Sequence, residues 1–415
     1  MEAIVRVRAS RSASRSVSTL DAMSPVSRGR KKKNKGRSTK PRRTAPMLSS
    51  PFAGTTLSRP DWFDASIKSV LDGAEATLSA HSTRELEQVV AELIGAELHQ
   101  AVHDDRDGLR FDWLFHEIVD AAAVRRREGS TDSMDRLLHG LAAIGTPALR
   151  AYTEQHLPKR AVGDWPRVTA TGKVWRMRDA YGTRFGVIAG FTYPGVFLFD
   201  VDGSSWVRLM HVDVFDDVEQ AATAWREQVG DSANGVEPQP ISAADELLCL
   251  RECETGELGV MGDESRNVMD NWFRVNRRLH DLADLDLLPE PVNLYQGVDP
   301  GPMAEEFTRW YAMQDSAEPN PEIAEAIAAE WLEGSLPETW FCVSPARISY
   351  IRALISDWVD EYAGPGEAML APWARWLVQR ADLPEHLSEP VFAALDTPAV
   401  KASAVPGGTH GQCVR

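Results

Sequence analysis

Four short apolar runs between residues 173 and 212 are joined by links too short to hold a helix, and this limits the fold more than any other feature. A parallel pair of strands needs a crossover of a dozen or more residues, which these links cannot supply. The first run, Trp175-Arg176-Met177-Arg178, alternates apolar and charged residues. The second places Phe185, Val187, Ala189 and Phe191 at every other position. Val196 to Phe199 is continuously apolar, and Trp206 to Val212 follows. Tyr193-Pro194-Gly195 and Asp202-Gly203 carry turn chemistry between them. The spacing predicts an antiparallel meander with Val196–Phe199 inside it, since an unbroken apolar run suits a strand buried on both faces. Val218, Ala221, Ala222, Trp225 and Val229 then recur at helical spacing and predict a helix over one face of the sheet.

Helical patterns flank this block. Ser82 followed by Glu85 has the form of a capping box. Leu86, Val89, Val90, Leu93, Leu98 and Val102 make the apolar stripe behind it. A further helix is predicted from about Phe111 through Arg127, and Thr146-Pro147 reads as an N-cap with proline at the first helical position. Residues 157–168 and 231–240 read as linkers. Beyond the second, Val268, Trp272, Val275, Leu279 and Leu282 alternate steps of four and three. Asn320-Pro321-Glu322 and Ser344-Pro345 are helix starts. Ile348, Ile351, Ile355, Trp358 and Tyr362 form a narrow seam, expected to stop at Gly364-Pro365-Gly366. The predicted class is α+β: mostly helical, with a small central antiparallel meander plus helix and a disordered N-terminal tail. The expected divisions are a disordered basic tail over 1–60, a helical segment over 61–156 and the meander with one helix over 169–230. A C-terminal helical domain over 241–400 and a flexible tail over 401–415 complete them.

Charge is segregated along the chain. Residues 1–60 hold fifteen Lys/Arg and two acids, and the remaining 30 Lys/Arg face 59 Asp/Glu. An arm near +13 therefore precedes a body near −29. The arm contains a single aromatic residue, Phe52, and too little apolar surface to offset the entropy of ordering it. Its centre is Arg28, Arg30, Lys31, Lys32, Lys33, Lys35, Arg37, Lys40, Arg42 and Arg43. Clustered cations of this kind displace counterions from nucleic acid, so residues 28–43 are a candidate nonspecific phosphate-binding arm. A solvated solubility tail, or one folded onto the acidic body, is the competing reading. Met23 offers a second possible start of translation.

The four cysteines, Cys249, Cys253, Cys342 and Cys413, are too few for a disulfide framework. Cys249 and Cys253 lack a second pair at ligand spacing, so idle thiols in a reducing compartment are expected and no metal is assigned. No apolar stretch reaches the roughly 18–20 residues of a membrane span. No apolar segment follows the basic residues of Met1–Arg15, so neither a secretory signal nor membrane contact is expected. A cytoplasmic location follows from these expectations.

Two constellations bear on chemistry. Val196-Phe-Leu-Phe-Asp200-Val201-Asp202-Gly203-Ser204 resembles the first motif of the haloacid-dehalogenase-type hydrolases. The resemblance spans about nine residues. It implies Asp200 as a nucleophile at the end of a parallel strand, Asp202 as acid/base and a Mg²⁺ ion against the phosphate. Gly262-Asp263-Glu264-Ser265 is similar to that family's acidic metal-binding motif, and Arg226 or Arg251 would take the place of its lysine. On the residues alone, Asp202-Gly203 is equally a hairpin turn and Asp263 a helix N-cap. The second constellation is two i, i+4 pairs, His99 with His103 and His116 with Asp120. Each pair shares a helix face and could serve a metal, or simply lie on a solvated side. No glycine-rich phosphate loop or Gly-x-Ser-x-Gly elbow is present. The preferred expectation is an intracellular interaction protein without a catalytic site or cofactor. It would bind an unknown protein partner, and its tail would contact nucleic acid. The alternative is the Mg²⁺-dependent phosphohydrolase.

Overall fold

The computed structural model describes residues 58–104, 111–129, 132–157, 165–192, 195–205, 207–255, 266–294, 298–314 and 319–396. The basic arm, the 401–415 segment and Gly262–Ser265 lie outside these residues. From Asp61 onward the chain is one unit. It begins with α1 (Phe63–Gly73), a 3-10 turn (Ala74–Ser79), α2 (Thr83–His103), α3 (Phe111–Arg127), α4 (Asp132–Ile144) and α5 (Pro147–Glu154). The sheet and its helix follow: β1 (Ala170–Arg178), β2 (Arg184–Phe191), β3 (Gly195–Asp202), β4 (Arg208–Phe215), α6 (Val218–Val229) and β5 (Gln239–Pro240). The remainder is helical: α7 (Leu248–Thr255), α8 (Arg266–Asp270), α9 (Trp272–Ala283), α10 (Gly301–Ala312), α11 (Pro321–Leu332), α12 (Pro345–Ser356), α13 (Asp360–Arg380) and α14 (Glu385–Asp396). The fold is α+β and mostly helical, and no helix among the described residues is long and apolar enough to cross a membrane.

The sheet has the order β4-β3-β2-β1-β5, antiparallel at every pairing. Val196–Phe199 lies in β3, between β2 and β4, as its unbroken apolar character requires. Both faces of the sheet are covered. Phe185, Val187, Ala189, Phe191, Phe197, Phe199 and Val201 pack against α7 and α9, and Ile188, Val196 and Leu198 pack against α6. The two-residue edge strand β5 lies within the segment expected to be a linker.

The α6 side of β2 carries glycine where a larger residue would stand. A Cβ on Gly186 would lie 2.6 Å from Met177 Cε and 2.9 Å from the Trp225 ring. The missing side chain lets Trp225, fully buried on α6, rest against the sheet. Gly186→Ala is expected to cost about 1–3 kcal/mol through overpacking. Urea unfolding should show a lower midpoint at unchanged slope.

Thr146 precedes Pro147 at the start of α5 without a side-chain cap, while the other predicted starts are capped. Ser82 Oγ accepts the Glu85 N–H at 3.2 Å, and Glu85 accepts the His81 N–H at 2.6 Å. Asn320 accepts from the Glu322 N–H at 3.0 Å, and Ser344 from the Arg347 N–H at 3.3 Å. One boundary expectation is corrected. Gly364-Pro365-Gly366 does not stop a helix but lies inside α13, whereas α12 ends earlier, at Ser356. Proline sacrifices one backbone bond there. Gly366 lets the Trp358 ring approach the α13 backbone, since a Cβ would meet that ring at 2.8 Å. The helix is held through this segment by the burial of Leu370, Trp373, Ala374 and Leu377 further along it.

Candidate functional site

On β3 the residues alternate, so Val196, Leu198, Asp200 and Asp202 share the face beneath α6. Asp200 is fully buried there. Both its oxygens accept from Arg184, Oδ1 from Nε at 2.6 Å and Oδ2 from Nη2 at 2.7 Å. Trp225 Nε1 donates to Oδ1 at 3.1 Å. A planar fork on a carboxylate is the strongest form of such a pair. Asp202 is held by Arg208, with Nη2 at 2.8 Å, and accepts the Ser204 N–H at 2.9 Å. Close by, Asp179 Oδ1 accepts the N–H groups of Thr183 and Arg184, both at 2.9 Å, while burial pushes its carboxyl up.

This geometry corrects what the hydrolase resemblance implies. Asp200 lies in a strand flanked by antiparallel neighbours, Gly186 on β2 and His211 on β4, and not at the end of a parallel strand. Its oxygens face an arginine and an indole, with no exposed surface for an incoming phosphate. Arg226 bonds the Val236 carbonyl at 2.7 Å and pairs with Glu219 and Glu237, away from Asp200. Asp202-Gly203 is also not a two-residue hairpin. Strands β3 and β4 are separated by residues 203–207, Gly203 has no positive φ, and the Asp202 side chain makes the turn contact.

A second concentration of buried charge lies where α2 and α9 meet the other face of the sheet. Arg278 pairs with Glu87, and Arg277 with Asp281 at 2.6 Å. All four side chains are buried. Arg274, one turn before Arg278, has no ion-paired carboxylate among the described residues. It donates to Asn271 Oδ1 and lies over the Phe197 ring at 5.7 Å, while Arg278 lies over Phe191 at 4.9 Å. Burial pulls the Arg274 guanidinium down to about 10. Arg274 Nε and Nη1, Arg278 Nη1 and Glu87 Oε1 have no hydrogen-bond partner among the described residues. Arg84, Glu87, Phe191, Phe197, Val214 and Arg278 line a narrow cavity of about 10 Å³, room for one water-sized centre. Beside it, with Arg84 and Val214 as shared walls, an open depression of about 470 Å³ includes Ser79, Gln88, Val89 and Asp213. Arg84 stands at the junction, donating to the Val214 carbonyl at 2.6 Å and to Asp216 at 2.8 Å.

Sequence reasoning missed this cluster. Its only trace was Arg274, Arg278 and Asp281 at helical spacing beside the apolar stripe of α9. Spacing alone does not distinguish a buried charged stripe from a solvated one.

The remaining sequence candidates fall elsewhere. Cys249 and Cys253 are free and buried, and burial pushes the Cys249 thiol up to about 12. His99 and His103 stack on each other at 6.2 Å. His116 packs edge-on to Tyr152 at 4.3 Å, and Tyr152 donates to Asp120 at 2.6 Å. Among the described residues no three His, Cys, Asp or Glu side chains are placed to hold a metal. Residues 28–43 lie outside the described residues. No family model, curated protein or solved structure matches this chain.

Proposed function

We propose that this chain is a non-enzymatic binding protein of the cytoplasm, in which the cationic segment 28–43 engages nucleic acid through its phosphates and the acidic body engages a protein partner. The observation that carries this reading is the segregation of charge, fifteen cations against two acids in residues 1–60 and 30 against 59 in the rest. Support also comes from the candidate nucleophile. The Asp200 carboxylate is bound on both oxygens by its own chain.

A chain of cations reads phosphates and not base edges, so affinity should be salt-sensitive and indifferent to sequence. The acidic body repels the same polyanion, so an isolated 1–60 peptide should bind labelled single- and double-stranded DNA more tightly than the full chain. Replacing Lys31, Lys32, Lys33 and Lys35 with glutamine should weaken binding uniformly across sequences and lower the salt slope by roughly 3–4 for duplex DNA. Fluorescence anisotropy across a salt series reads both quantities. No binding by either peptide or full chain at low salt removes nucleic acid from this reading.

A further inference from the structure

We infer that His99 and His103 form a two-point chelate on the outer side of α2 for a divalent transition ion of the Zn²⁺, Ni²⁺ and Cu²⁺ class. Residues four apart lie one above the other on a helix, so the two imidazoles can reach one point in space. The rings lie nearly parallel, at 5° to each other, with a centroid separation of 6.2 Å. His103 is exposed and His99 half-buried, so an ion in solution reaches the pair. Neither ring has a hydrogen bond or ion pair among the described residues, so their nitrogens are available as ligands. The other histidines on this helical unit differ. His116 packs on Tyr152, and His156 packs on the same ring and pairs with Asp120 at 3.6 Å.

Neighbouring carboxylates favour a cation here. Gly95, one turn before His99, has no side chain, and a Cβ there would lie 2.1 Å from the Asp270 Cα. Asp270, at the end of α8, is thereby seated against α2. Glu92 is on the same side of α2, two turns before His99, and both it and His99 act on the Asp270 carboxyl. Arg266 pairs with Asp270 at 3.7 Å, but its side chain is 68% exposed and water screens it. Imidazole suits Zn²⁺, Ni²⁺ and Cu²⁺, whereas Mg²⁺ and Ca²⁺ take oxygen ligands. Binding requires both side chains to turn so that one nitrogen of each stands about 2.0–2.1 Å from the ion, and exposure leaves them free to do so. No third ligand is placed among the described residues, so water completes the shell and the site is weaker than a structural zinc centre.

The test titrates the full chain with Ni²⁺ chloride, a redox-inert probe, in a calorimeter. Capture of the ion by the second imidazole is intramolecular, so the pair binds well above a single histidine. His99→Asn and His103→Gln should each weaken binding by about tenfold or more. The double variant should lose little beyond either single one, because one substitution already destroys the chelate. His116→Gln, in the other i, i+4 pair, should leave binding unchanged. Without metal, the His99 and His103 variants should unfold at the midpoint of the unaltered chain, which separates loss of a ligand from loss of structure. Paramagnetic Ni²⁺ should broaden the His99 and His103 imidazole resonances first. The inference is overturned by Ni²⁺ binding no tighter to the unaltered chain than to the double variant, by a loss confined to one of the two single substitutions, or by broadening centred on other histidines.

Discussion

Asp200→Asn should lower the stability of this protein by about 3–5 kcal/mol, the range for removing one partner of a buried ion pair. The side chain is fully buried, so solvent does not screen the loss. Asparagine keeps the shape but turns an N–H₂ toward Arg184 or Trp225, setting donor against donor. Arg184, whose side chain is 20% exposed, is left without its counter-charge. Water reaching it softens the penalty and argues for the lower half of the range. Thermal unfolding should fall by roughly 5 °C. The double variant Asp200→Leu with Arg184→Met should recover part of the loss, because two apolar residues restore burial without leaving a charge behind. The same proteins should be assayed with generic phosphate esters and Mg²⁺. Turnover that Asp200→Asn abolishes without loss of stability would show that this aspartate is chemical and not structural.

Arg347→Ala should cost about 3–5 kcal/mol, by a different route. Arg347 is completely buried and has no carboxylate partner among the described residues. Its guanidinium lies over the Trp331 ring at 4.4 Å and donates to the carbonyls of Trp331 at 2.5 Å, Cys342 at 3.3 Å and Thr339. It also reaches Ser335 Oγ at 3.2 Å. Trp331 stands at the C-terminal end of α11 and Thr339 at the end of a 3-10 turn, where unpaired carbonyls carry partial negative charge. The arginine adds a charged donor to both, beside the Ser335 hydroxyl on Trp331 O and the Cys342 N–H on Thr339 O, and ties them to the start of α12. Alanine removes these charged hydrogen bonds, leaving Trp331 O to the Ser335 hydroxyl and Thr339 O to the Cys342 N–H, and opens a cavity against Trp331. Arg347→Lys should recover only part of the loss, since one ammonium cannot span the same acceptors in a plane. Urea unfolding of the three proteins at equal slope measures both differences.

Much of the fold was legible because the signals that specify it are local. Ser82 with Glu85, Asn320 and Ser344 each satisfy backbone donors within three residues of themselves, so their helix starts could be read without the rest of the chain. The short links between residues 173 and 212 excluded crossovers and thereby fixed antiparallel pairing. The unbroken Val196–Phe199 run placed β3 in the interior. The positive charge of residues 28–43 is likewise a matter of composition, and its proposed role rests on the sequence alone.

Only the tertiary structure decided how the charged side chains of the core are used. Asp200 stands beside Asp202-Gly203 in a pattern similar to a hydrolase motif, yet its partners come from Arg184, sixteen residues earlier, and Trp225, on the next helix. Arg278 finds Glu87 across 191 positions of sequence. Gly364-Pro365-Gly366 carries the local signals to end a helix, yet α13 runs through it and buries Leu370, Trp373, Ala374 and Leu377 beyond it. The physical reason is common to these cases. Hydrogen-bond capping and apolar period act over one helical turn or one strand, and the residues that answer them are neighbours in sequence. Burial of a charge is stabilised or penalised by whatever lies within a few ångströms, and chain folding brings those groups from anywhere in the sequence.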